Sequence, residues 1–166
     1  MTDSSLKTEF KEIMEKNEVN FDEIRQLHTQ RLEKYKEKSF IEKYALYMGM
    51  VQILELQMKQ ILNRQFGYTS EKSLKSLEQK TFGQTVWILN DKGVRPDIIS
   101  LLEKNRDNRN NMAHSFLVDT MISTSLGFSR ESIEVRQLDK AIYELENVIL
   151  FWEWCVQHNA LMPIAE

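Results

Sequence analysis

One segment of ten residues concentrates the side chains that are best suited to chemistry. It runs from Asn105 to His114, reads NRDNRNNMAH, and contains four asparagines, two arginines and one histidine. Histidine donates or accepts a proton near neutral pH, and arginine binds anionic oxygens through several N–H donors. Asparagine is a poor helix former because its side chain competes for backbone hydrogen bonds. Residues that disfavour the local secondary structure tend to occur at functional sites, so this segment is the candidate site.

The spacing within this segment predicts two different faces of one helix. Arg106, Asn110 and His114 follow at intervals of four residues, which aligns them in one polar stripe. Arg109 instead falls among the apolar positions that should face the core. An unpaired buried charge is costly, so a guanidinium there needs a carboxylate partner or an anionic ligand. Two interpretations stay open: Arg109 pairs with a glutamate of a neighbouring helix, such as Glu55, or it binds an anion.

Other kinds of site find little support in the sequence. His28 and His158 are far from His114 along the chain, and no paired carboxylates occur at ligand spacing, so no metal site is expected. We expect His28 to be a surface or packing residue. Cys155 is the only cysteine, which excludes a disulfide within the chain and a cysteine-rich zinc cluster. The sequence has no glycine-rich phosphate loop, which argues against nucleotide hydrolysis of the P-loop kind.

The run from Arg109 to His114, RNNMAH, resembles the signature of the HEPN superfamily, in which an arginine is commonly followed by a polar residue and then by a histidine. The stretch Ile98–Leu102 and the helix start at Phe82–Gln84 also look like the approach to that motif. The resemblance covers about residues 40 to 155. It implies an all-helical bundle that commonly forms dimers, with the two motifs facing each other across a cleft.

The resemblance also implies an activity. Many HEPN domains are metal-independent endoribonucleases of toxin–antitoxin and other defence systems, whereas others have lost activity and serve as binding or structural modules. Carried over to this chain, it implies that Arg109 and His114 are the catalytic pair, that Asn110 is the supporting polar residue, and that no cofactor is needed. Arg106 lies outside the family signature. We predict that it binds substrate only because it lies in the polar stripe.

The chemistry of RNA cleavage gives an independent reason to expect a dimer. Attack by the 2′-hydroxyl needs a base, an acid for the leaving oxygen, and positive charge on the phosphorane. One motif offers one histidine, His114, which cannot hold both protonation states at once, whereas two motifs across a two-fold axis supply both. DNA lacks the 2′-hydroxyl and should be spared. We therefore expect a homodimer that cleaves RNA. The resemblance adds an antitoxin or another protein as a candidate partner.

Two alternatives to cleavage stay open. The first is a catalytically inactive HEPN module that binds a protein partner or nucleic acid. The second is a purely structural bundle in which Arg109 is only a buried ion-pair residue.

The elements that position the segment are predicted to be helices. Of 166 residues, 42% are hydrophobic and 28% charged, which excludes a disordered chain. Five glycines and two prolines are too few for a sandwich or barrel of many short strands. The net charge is −3, but the range Lys59–Arg109 has ten basic and six acidic residues. We expect an all-α, up-and-down bundle of four to five main helices in one domain over residues 1–166, with a helical extension (1–38) and a core bundle (39–159).

Cap residues and apolar spacing predict the individual helices. They cover residues 5–16, 20–38, 39–66, 69–77, 81–90, 96–113 and 135–158, with a loop over 119–130. In the second helix, Leu27 should face the core and the charged half Arg31–Lys38 should be exposed. The third helix is apolar on nearly every face of its middle, which is typical of a central helix or of one that also meets a partner.

The last helix carries a heptad-like apolar seam, which favours near-antiparallel packing in a bundle. The seam consists of Leu138, Ile142, Leu145, Ile149, Trp152 and Val156. The sequence contains no window of 18 uninterrupted apolar residues, and the first ten residues lack the apolar run of a signal peptide. We therefore expect a cytoplasmic protein that makes no use of a membrane.

Overall fold

The computed structural model describes residues 20–116, 118, 121, 122, 125 and 131–163. Over these residues the chain is helical and has no strand, so the predicted all-α class is confirmed. In this part of the chain six α-helices follow one another: α1 (Phe21–Glu33), α2 (Phe40–Gln65), α3 (Glu71–Glu78), α4 (Phe82–Asp91), α5 (Pro96–Asn111) and α6 (Glu131–Gln157). The helix predicted over residues 5–16 lies outside the described residues.

The helix starts follow the local signals in the sequence. Ser39 caps α2 and forms a capping box with Glu42, and Thr81 does the same for α4 with Gln84. At the other end of α2, Gly67 adopts a φ of 78°, a left-handed conformation that glycine takes without strain. These predicted boundaries are confirmed. Each depends on residues only three or four positions apart, so the local sequence was enough to predict it.

The core of the bundle lies between α2 and α6, with the α4–α5 hairpin packed against both and α1 against α6. The apolar seam of α6 is buried at every predicted position except Val156, which is partly buried. Trp152 is almost fully buried in this seam, as predicted. On its outer side α2 leaves Ile41, Ile53 and Leu56 exposed, which agrees with its apolar character on several faces.

The region after α1 departs from the prediction, which continued this helix to residue 38. α1 ends at Glu33 and is followed by tight turns that bring Tyr35 into the core. Within α1, Leu27 is 41% exposed, whereas its neighbour His28 is buried. The His28 ring packs edge-on against Tyr143, so its predicted packing role is confirmed and the predicted inward side of Leu27 is wrong.

Glu146 explains this departure, because its carboxylate on α6 is completely buried. Tyr35 Oη donates to Glu146 Oε1 over 2.6 Å, and Lys34 Nζ lies 2.6 Å from the same oxygen. Arg31 Nη1 lies 3.5 Å from Glu146 Oε2. A buried carboxylate is costly unless it is paired and hydrogen-bonded. The predicted exposure of residues 31–38 is therefore wrong at Tyr35, which is buried, and at Arg31, which is partly buried, but it holds at Lys34. Arg31, Lys34, Tyr35 and Glu146 together form the Glu146 cluster.

The segment after the candidate motif is only partly described. Met121, Ile122 and Ser125 have helical backbone, and Ser125 Oγ donates to the Met121 carbonyl over 2.8 Å. The predicted loop is wrong at these three residues, and its other positions lie outside the described residues. Among the described helices, none combines the length and the apolar character needed to cross a membrane.

Candidate functional site

The candidate motif spans the junction between α5 and a π-helical turn. α5 ends at Asn111, and residues Met112–Phe116 form the wider turn, so the α-helix predicted through Ala113 is wrong at its end. Tyr44 Oη, from α2, donates to the Met112 carbonyl over 3.0 Å and stabilises the turn from outside. Single π-turns within helices are rare and are frequent at functional sites.

The π-turn changes the angular spacing between Arg109 and His114 along the helix. In an α-helix, residues five apart differ in direction by about 140°, because each residue turns the chain by about 100°. A π-turn bonds residue i to i+5 and so reduces this angle. Arg109 and His114 are five residues apart, and the wider turn begins between them. The angle about the helix axis between Arg109 and His114 is therefore smaller than in a continuous α-helix.

Arg109 is half-buried rather than enclosed in the core. Its Nη1 donates to Asn110 Oδ1 over 3.1 Å, so the structure brings two of the predicted site residues into direct contact. Glu55 does not serve as its partner, because Glu55 Oε1 is bound by Lys59 Nζ at 2.7 Å. Of the two interpretations of Arg109, the ion pair with Glu55 is thus wrong, and the guanidinium borders solvent.

Tyr47, on α2, has a buried hydroxyl with no hydrogen-bond partner within the described part of the chain. Burial raises the pKa of Tyr47 far above its ordinary value, and the negative charge of Glu144 adds to the rise while Arg109 opposes it. The contact of Tyr44 with the π-turn and the buried hydroxyl of Tyr47 were not predicted from the sequence.

The other predicted site residues lie around this contact. Asn110 and His114 are exposed, as their place on the polar stripe requires. Arg106 is partly exposed, and its Nε and Nη2 both lie 2.9 Å from Asp107 Oδ1. Its aliphatic stem crosses α4, where a Cβ on Gly83 would lie 3.0 Å from Arg106 Cδ. The structure thus joins Arg109 to Asn110 and turns Arg106 toward Asp107 and α4.

A cavity of about 210 Å³ opens between α5 and α6 beside the motif. Asn108, Asn111, Met112, Gln137, Lys140 and Glu144 are among the residues that line it. Within it, Glu144 accepts from Lys104 Nζ at 2.9 Å and from Asn108 Nδ2 at 2.8 Å. Partial burial opposes ionisation of Glu144, but these two hydrogen bonds lower its pKa below the ordinary value. The sequence analysis missed this cavity, since its walls come from segments about thirty residues apart.

Groups of three histidine, cysteine or acidic side chains close enough to hold a metal ion do not occur among the described residues. No protein-family model matches the sequence, and no curated protein and no solved structure gives a significant match. The fold defines the class as an all-α helical bundle. The function must therefore be inferred from the site itself and from the resemblance of its motif.

Proposed function

We propose that this protein is a metal-independent endoribonuclease of HEPN type that cleaves RNA through attack of the 2′-hydroxyl. The observation that carries the proposal is the contact of half-buried Arg109 with Asn110, one helical turn before exposed His114. A cation held by a neutral amide, with an exposed imidazole one helical turn further along the chain, suits the chemistry of a phosphodiester. The motif resemblance adds a role as effector of a toxin–antitoxin or other defence system, acting on cytoplasmic RNA.

The roles of the three side chains follow from their donors and acceptors. Arg109 uses one N–H on Asn110 and keeps further donors of its fork for the phosphoryl oxygens. Positive charge there stabilises the phosphorane that forms during the reaction. His114 exchanges protons near neutral pH and acts as the base for the 2′-hydroxyl or as the acid for the leaving oxygen. Asn110 keeps the guanidinium in place.

The dimer that supplies the second histidine has a candidate face. Val118, Met121 and Ile122 follow the motif at helical spacing and are all more than half exposed. Residues three and four apart share one side of a helix, so these three make an apolar stripe directly after His114. Burying this stripe against a second copy brings the two motifs close to the two-fold axis.

Replacing Met121 by aspartate should therefore convert the dimer into monomers and abolish cleavage, since a charge in an apolar interface stays unpaired. Light scattering and an RNA cleavage assay on the same sample measure both effects. Met162→Asp changes another exposed methionine and is the matched control, which should stay dimeric and active. A Met121→Asp protein that remains dimeric, or a wild type that is monomeric and active, would contradict the proposed dimer.

Cleavage should persist in excess chelator, because the motif supplies its own positive charge, and should leave 2′,3′-cyclic phosphate ends. The measurement is mass spectrometry of the products after incubation with EDTA. Activity that is lost on removal of divalent ions and returns when they are added back would exclude this mechanism.

One observation favours the second candidate, a HEPN module that binds RNA or a protein without cleaving it. Arg106 is held by Asp107 and so contributes less positive charge to the polar stripe than the sequence suggested. If purified wild type binds RNA but cuts none of the substrates tested, this candidate replaces the ribonuclease.

A further inference from the structure

The cavity between α5 and α6 has an apolar floor and polar walls. Met112 and Ala141, two of its lining residues, are each only 4% exposed and supply the floor. Gln137 and Lys140, on α6, are exposed and form one wall. Asn108, on α5, forms the opposite wall. A flat group with an apolar face and a polar edge matches this arrangement.

The hydrogen bonds at Glu144 determine which hydrogen-bonding groups Asn108, on α5, presents to the cavity. Asn108 donates its Nδ2 to Glu144 Oε2, which directs the amide oxygen Oδ1 away from the carboxylate as an acceptor. Across the cavity, Gln137 offers a donor and an acceptor, and Lys140 offers donors. The carboxylate of Glu144 disfavours a second anion inside the cavity. A neutral ligand with both donors and acceptors fits better than a phosphate group.

We propose that this cavity binds one nucleobase of the RNA substrate and sets a base preference for cleavage. The inference rests on the proposed function, because it requires that RNA binds at Arg109. Asn108 and Arg109 are consecutive, and their Cα atoms lie about 3.8 Å apart. A base on Asn108 and a phosphate on Arg109 would thus be held by neighbouring residues of one helix. Base edges that carry donors and acceptors are read by amide side chains in this way.

Side-chain amide NMR tests the cavity without any need for cleavage. The four nucleoside 5′-monophosphates are added one at a time to ¹⁵N-labelled His114→Ala protein. The Nδ2 resonances of Asn108 and the Nε2 resonances of Gln137 should shift with at least one nucleotide, while those of Gln52, exposed on α2, should stay unchanged. Inorganic phosphate is added separately. Equal shifts with phosphate alone would overturn recognition of the base.

Binding of short RNA tests the base preference. Fluorescence anisotropy compares labelled hexamers of A, C, G and U on the His114→Ala protein, which should prefer one of them. Adding Gln137→Ala or Lys140→Ala should weaken the preferred hexamer about two- to tenfold, as expected for one lost hydrogen bond, and reduce the preference. Gln52→Ala and Lys72→Ala change the same residue types at exposed positions outside the cavity and are the controls.

The outcomes separate this inference from the proposed function. If wild type cleaves RNA but the cavity variants bind all four hexamers as the parent does, the nucleobase site is wrong and the ribonuclease stands. If wild type does not cleave but the cavity amides shift with nucleotides, the site stands on a binding module. If neither hexamers nor nucleotides bind, the nucleobase site is wrong.

Discussion

Replacing His114 by alanine should slow RNA cleavage by about 10²- to 10⁴-fold, the usual contribution of a general acid or base. The melting temperature should hardly change, because His114 is exposed and alanine is a better helix former. A cleavage assay and a thermal melt on the same preparation give both values. A His114→Ala protein that cuts RNA at the wild-type rate would remove histidine from the mechanism.

Arg109 variants distinguish charge from geometry at the same site. Arg109→Ala should be inactive but nearly as stable as wild type, because the guanidinium is half-buried and bound to neutral Asn110 rather than to a buried carboxylate. Arg109→Lys keeps the charge and loses the planar fork, so it should retain only part of the activity. If Arg109→Ala unfolds the protein while His114→Ala is fully active, the arginine is structural.

Replacing Glu146 by alanine should cause a large loss of stability, because its carboxylate is completely buried. Removing one partner of a buried ion pair costs about 3–5 kcal/mol. We expect about 3 kcal/mol, the lower end of that range, because Arg31 and Lys34 are partly exposed and can regain water. Tyr35, in contrast, keeps a buried hydroxyl with no acceptor. Urea unfolding followed by circular dichroism measures the change.

Two further variants test why Glu146→Ala loses stability. Asn147→Ala changes the next residue of α6, which is exposed, and should leave stability nearly unchanged. Tyr35→Phe removes one hydrogen bond to a charged acceptor and should cost about 1.5 kcal/mol. A Glu146→Ala protein as stable as Asn147→Ala would show that the Glu146 cluster does not anchor α1.

The parts of the fold that could be predicted are those fixed by short-range signals. The capping boxes of Ser39 with Glu42 and of Thr81 with Gln84 each span three residues. The seam of α6 repeats along one helix and needs no knowledge of its neighbours. Such features follow from propensity and periodicity alone.

The features that could not be predicted depend on contacts between distant segments. Tyr35 and Glu146 are 111 residues apart, and Tyr44 is 68 residues from the π-turn carbonyl that it binds. One signal was present in the sequence, because Glu146 directly follows Leu145 of the buried seam and so lies next to the inward side of α6.

In the candidate site, too, some features follow from the local sequence and others depend on the folded structure. The residue types and order of the motif could be seen in the sequence, and so could the exposure of Asn110 and His114. The partner of Arg109 could not, since regular helical spacing placed Arg109 among core positions, where Glu55 was one possible partner. The π-turn at Met112–Phe116 could not be predicted either, because no pattern of apolar residues indicates one.

The central claim is that the RNA's own 2′-hydroxyl, activated at Arg109 and His114, breaks the chain. The direct measurement uses an RNA whose cleavage sites by wild type have been mapped, and a copy with a single 2′-deoxynucleotide on the 5′ side of one scissile phosphate. Cleavage should vanish at that site alone and continue at the others, with His114→Ala inactive on both molecules. Cleavage that continues at the deoxy site would show that another nucleophile attacks the phosphate and would contradict the proposed mechanism.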